Sequence, residues 1–76
     1  MVTVRFWGGA RRAAGIAEQS VAASDVATIR GSLAAQPSLA PIMRVASLLV
    51  DGRTVPDDLP LADGAVVDVL PPFAGG

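Results

Sequence analysis

The sequence predicts an α+β domain: a mixed β-sheet packed on one main helix, with a short extra helix and a protruding C-terminal tail. Three observations predict it. Val2 to Trp7 alternates with a period of two and is rich in β-formers, the mark of a half-buried strand. Asp25 stands just before Val26, Ile29 and Leu33, a side-chain N-cap followed by an apolar stripe at helical spacing. Asp51-Gly52 separates two β-like runs, which signals a tight hairpin. A one-sided sheet and a single helix bury their apolar faces most simply against each other.

In chain order, the first strand puts Val2, Val4 and Phe6 on one face and Thr3, Arg5 and Trp7 on the other. Gly8-Gly9 breaks it, and Ala10 to Ala14 is expected as a short helix ending at Gly15. Glu18 to Ala23 reads as a second strand. The main helix starts at Val26, with Val26, Ile29, Leu33 and Ala34 in its apolar stripe and Arg30 facing outward. Gly31 weakens it by roughly 1 kcal/mol relative to Ala, so tertiary packing must hold it. Pro37 stops it, and Ser38 to Val45 reads as a loop with a short turn around Pro41-Ile42-Met43. Ala46 to Val50 and Arg53 to Val55 are the hairpin strands, and Pro56 to Leu61 is a loop. Ala62-Asp63-Gly64 turns into the last strand, Ala65 to Leu70, with Val67 and Val69 inward and Asp68 and Leu70 outward. If the first and last strands are neighbours, Arg5 pairs with Asp68, and Trp7 and Leu70 form an apolar patch near the root of the tail.

Composition narrows the function. Seventy-six residues with 51% hydrophobic content make one small globular domain, residues 1–70, followed by a tail over residues 71–76. A net charge of −1 offers no broad electrostatic footprint for nucleic acid or an anionic membrane. No apolar run approaches the ~20 residues of a membrane span, and no signal-peptide pattern opens the chain, so a cytoplasmic location is expected. The sequence contains neither Cys nor His, which excludes thiol catalysis, disulfides and His-based triads and leaves no metal site in view. Lysine is absent too, so Schiff-base chemistry and a P-loop lysine drop out. Autonomous catalysis is not expected, and neither is a bound cofactor.

That leaves the C-terminal segment Pro71-Pro72-Phe73-Ala74-Gly75-Gly76. Glycine lacks a Cβ, so Gly75 and Gly76 can enter a slot that a side chain would block. The prolines favour an extended path, and six residues reach about 20 Å at roughly 3.3 Å each. A Gly76 carboxylate can thereby reach a reaction centre inside a partner. Chain ends are often glycine-rich without function, so the pair alone does not decide the matter. Phe73 has no obvious core position and reads as a partner anchor. Trp7 and Leu70 read either as the closing end of the core or as a docking surface, with Arg5 beside them. Arg11 and Arg12 read as a solvated helix face, or else as a contact for an acidic partner. Asp51, Asp57, Asp58 and Asp63 sit where turns need Asp. The glycines from Gly8 to Gly15 match neither a P-loop nor a dinucleotide fingerprint.

Taken together, Ala62-Asp63-Gly64 before a β-rich run and the Pro-Pro-Phe-Ala-Gly-Gly tail resemble the small subunit of molybdopterin synthase, the MoaD family. The resemblance extends over the opening strand and the Gly8 to Gly15 insertion. ThiS, the sulfur carrier of thiazole synthesis, looks like a relative; residues 8–17 and Pro71-Pro72 tip the choice toward MoaD. The implied fold is the ubiquitin-like β-grasp. The implied chemistry is that a MoeB-like adenylyltransferase uses ATP to adenylate Gly76, and a sulfur donor converts it to a thiocarboxylate. The tail, Pro71 to Gly75, then inserts into a MoaE-like large subunit within a heterotetramer, and the sulfur goes to cyclic pyranopterin monophosphate. The carrier is no enzyme alone, and neither nucleic acid nor membrane is an implied partner. Alternatives are a carrier for thiazole or cysteine synthesis, a ubiquitin-like protein modifier, and a plain interaction domain.

Overall fold

A computed structural model describes residues 1–71. Eight elements follow in order: β1 (Val2–Phe6), α1 (Gly8–Ala14), β2 (Glu18–Val21), α2 (Val26–Ala34), α3 (Ala40–Met43), β3 (Ser47–Val50), β4 (Arg53–Thr54) and β5 (Val66–Leu70). The strands form one mixed sheet in the order β2-β1-β5-β3-β4. β1 and β5 are parallel at its centre, while the β1/β2, β3/β5 and β3/β4 pairs are antiparallel. The register sets Arg5 opposite Asp68 and Phe6 opposite Val69.

The core lies on one face of the sheet. Val2, Val4, Phe6, Leu48, Val67 and Val69 are buried there, with Val26, Ile29 and Leu33 from α2 in the same cluster. Asp25 caps α2 as expected, accepting the Thr28 N–H at 2.8 Å. Thr28 pulls the Asp25 carboxyl below its ordinary range, through its side chain first and its backbone N–H second. In the hairpin, Asp51 (φ 53°) and Gly52 (φ 77°) both adopt the left-handed conformation that a two-residue type I′ turn requires.

Several expectations need correction. α1 starts at Gly8 rather than Ala10, because the Trp7 carbonyl accepts N–H groups from Ala10 and Arg11 and so opens the helix earlier. Residues 38–45 contain a real helix, α3, whose N-cap Leu39 and last residue Met43 pack into the core four residues apart. Ala34 is exposed and outside the α2 stripe. Arg30 does not simply face outward: it is half-buried, and its Nε donates to Asp57 Oδ1 at 3.3 Å. The expected strands run one or two residues too long, since Trp7, Ala22, Ala23, Ala46, Val55 and Ala65 lie outside the ladders. No helix among the described residues is long and apolar enough to cross a membrane.

Candidate functional site

The site begins where β1 and β5 leave the sheet. Because these central strands are parallel, their C-terminal ends emerge side by side. The Trp7 N–H donates to the Val69 carbonyl at 3.2 Å, extending the pairing one step past β1. The two paths then part: one turns into α1 and the other runs on to Pro71. Pro71 has no N–H to continue a ladder. It is half-buried against Gly8, where an added Cβ would stand 3.2 Å from Pro71 Cγ. Gly8 also has a φ of 51°, which a side chain tolerates poorly. Sequence reasoning treated Gly8 only as a strand breaker. Its contact with Pro71 is long-range and has no local signal.

Outside the core, on the opposite sheet face, Asp68 organises a small cluster. Arg5 grips its carboxylate with two donors, Nε to Oδ1 at 2.6 Å and Nη2 to Oδ2 at 3.0 Å. The Trp7 indole Nε1 donates to the same Oδ1 at 2.9 Å. The Arg5 guanidinium carbon lies 5.6 Å from the Trp7 ring centroid, within cation–π range. The Arg5 hydrogen bond holds the Asp68 carboxyl below its usual range against a partial desolvation, with Trp7 assisting. The same bond raises the Arg5 pKa. The Arg5–Asp68 pair is thus as expected, while the part played by the Trp7 indole was missed. Only the register of β1 on β5 reveals it.

Trp7 and Leu70 stand 44% and 36% exposed, so they border the tail root as a surface rather than closing the core. Arg11 and Arg12 are exposed on α1 and, with Gly15, Ile16 and Ala17, line an open depression of about 340 Å³. Of the turn aspartates, Asp51 occupies the hairpin, Asp57 pairs with Arg30, and Asp63 pairs with the N-terminal ammonium. That ammonium lowers the Asp63 carboxyl pKa. Among the described residues no group of carboxylates is arranged to hold a metal. Pro72, Phe73, Ala74, Gly75 and Gly76, the sequence-predicted tail, lie outside the described residues.

Among known proteins, the ThiS family model matches residues 4–76. No curated protein sequence matches the chain. Subunit 1 in the complex of subunits 1 and 2 of molybdopterin-converting factor from Helicobacter pylori is 28% identical, with a TM-score of 0.80 over 99% of this chain and 97% of that one. The Haloferax volcanii HVO 2177 protein in solution is 27% identical, with a TM-score of 0.78 over 99% and 85% of the two chains. SAMP1 from the same organism, at 20% identity and a TM-score of 0.74 over 99% and 98%, shares the fold. The strand order, the helix over one sheet face and these likenesses make this a ubiquitin-like β-grasp domain, and the chain belongs to the ThiS family, within the MoaD/ThiS group of ubiquitin-like sulfur carriers.

Proposed function

We propose that this chain is the sulfur-carrying small subunit of a molybdopterin synthase, with Gly76 as the carrier residue. The observation that carries the reading is the 28% identity, over 99% of the chain, to a molybdopterin-converting factor subunit 1 in complex with its subunit 2. The family match, which runs through to residue 76, supports it. The chain's own chemistry supports it as well. Without Cys, His or Lys, it lacks the side chains most often used as nucleophile or base near neutral pH.

On this reading the fold presents a tail, and partners do the chemistry. A carboxylate is a poor electrophile, so a MoeB-like adenylyltransferase joins Gly76 to the α-phosphate of ATP and releases pyrophosphate. The outer sulfur of a persulfide donor attacks the acyl carbon and AMP leaves. A second thiol then takes the rest of the donor as a disulfide, leaving a thiocarboxylate. Pro71 to Gly75 thread this group into a MoaE-like large subunit, which holds the catalytic groups. Cyclic pyranopterin monophosphate receives the sulfur, and two carriers serve each product. Trp7, Leu70 and Arg5 dock beside the threaded tail, and Phe73 anchors it. The location is cytoplasmic, where ATP and the persulfide donors are.

The test is the intact mass of the chain after incubation with ATP, the adenylyltransferase and a sulfur donor. The expected result is a gain equal to sulfur replacing one oxygen, mapped to Gly76 and abolished by one extra residue after it. Loaded chain, mixed with the large subunit, should then convert cyclic pyranopterin monophosphate to its dithiolene. Absence of the mass gain with a demonstrably active adenylyltransferase overturns the carrier reading. Loading without transfer to the pterin overturns the molybdopterin route alone.

A further inference from the structure

The net charge of −1 conceals a strong asymmetry. At the end where β1 and β5 emerge stand Arg11 and Arg12 on α1 and Arg44 at the end of α3, three residues before Ser47, the strand partner of Leu70. All three are exposed, and none makes an ion pair among the described residues. The acids near them are Glu18 and Asp68, and Arg5 lies opposite both in the sheet. At the far end, Asp25, Asp57 and Asp58 surround the start of α2, Asp51 tips the hairpin, and Asp63 sits beside Met1. Arg30 (paired with Asp57), Arg53 and the N-terminal ammonium on Asp63 offset them only in part. The tail end is therefore positive and the opposite end negative.

The positive end is apolar as well. Of the six exposed large hydrophobic residues among the described residues, four, Trp7 (44%), Ile16 (47%), Val45 (58%) and Leu70 (36%), lie toward the end of the sheet from which the tail leaves. An apolar surface rimmed by cations at the point where a tail leaves is the shape of an interface that meets the mouth of a slot.

We infer that Arg11, Arg12 and Arg44 form a basic collar that docks on an acidic rim around the tail-receiving slot of the large subunit. This rests on the proposed function and names the chemistry of the surface it needs. The collar meets protein rather than an anionic substrate because of reach. The five residues beyond Pro71 extend up to roughly 17 Å, so in a threaded tail the reacting Gly76 lies well beyond the arginines. The asymmetry then turns the carrier tail-first during approach, so the collar acts mainly on the association rate.

The experiment is the rate at which the intact chain associates with the purified large subunit encoded by the same genome, across a series of salt concentrations. Three proteins are compared: the natural chain, an Arg11→Gln/Arg12→Gln/Arg44→Gln variant, and an Asp51→Asn/Asp58→Asn control. At low salt the arginine variant should associate about 10-fold more slowly or worse. That gap should close near 0.5 M salt, where screening reaches within a few ångströms. The aspartate control should keep the natural rate or exceed it, and all three should melt alike because the altered residues are exposed.

A natural rate indifferent to salt, or an arginine variant as fast as the natural chain, overturns the collar while leaving the carrier reading intact. Slowing seen only with the adenylyltransferase overturns the assignment to the large subunit. If the natural chain fails to bind the large subunit at all, the collar falls together with the molybdopterin route.

Discussion

Asp68 is the residue on which the outer face depends, since Arg5 and Trp7 converge on it. Trp7 is the sole tryptophan, so its fluorescence reports on this cluster alone. The Asp68 pKa is depressed in the folded state, so the ionised form is favoured above the ordinary carboxylate value near 3.9, and that favour is lost as pH falls through the lower folded value. An acid titration of Trp7 emission should therefore show a midpoint below about 3.9; a midpoint at or above it would mean that the carboxylate is not held this way. Asp68→Ala should raise iodide quenching of Trp7, yet cost little stability, because Arg5 is substantially exposed and water can replace the lost carboxylate. Gly8 behaves differently. Its positive φ and its approach to Pro71 both oppose a side chain, so Gly8→Ala should lower stability by roughly 1–2 kcal/mol, measured by denaturant unfolding. The Arg5–Asp68 pair was legible in the sequence, but the Trp7 contact with Asp68 and the Gly8 contact with Pro71 were not, since those partners lie some sixty residues apart in the chain.

Among the elements, α2 was the most legible and α3 the least. Asp25, Val26, Ile29 and Leu33 declare α2 through a cap and a period, and the structure uses all four. α3 has only four residues and Pro41, so propensity gives it no support; Leu39 and Met43, buried four apart, were its one signal. Short strands lost their ends for a related reason: the ladder partner, not local pattern, decides where pairing stops. Two substitutions in α2 separate packing from propensity. Ile29 is fully buried, so Ile29→Ala should cost about 2–5 kcal/mol, a large share of what a domain of this size has. Gly31 is exposed with nothing near the position of an added Cβ, so Gly31→Ala should stabilise by about 0.5–1 kcal/mol. Thermal melting of both variants checks the pair, and a Gly31→Ala protein that melts lower would contradict the open space on that side of the helix.

For the whole molecule, the division of labour between body and tail is the property that matters. Alternation and capping made the sheet and its main helix legible, and composition made the missing Cys, His and Lys legible. The charge asymmetry was not, because net charge sums over ends that only the fold separates. Among the described residues every buried core residue falls between Val2 and Val69. Pro71 touches the body through Gly8. A chain ending at Pro71 should therefore melt within a few degrees of the full chain, since a loss of 1 kcal/mol shifts a domain this small by about 4–8 °C. The same truncation should abolish sulfur loading completely, as it removes the carboxylate the adenylyltransferase activates. Calorimetry and intact mass on one sample read the two halves independently. A large fall in melting temperature would place Pro72 to Gly76 in the folded body and undo the idea of a separate tail. Retained loading would place the reactive group elsewhere and undo the carrier chemistry at Gly76.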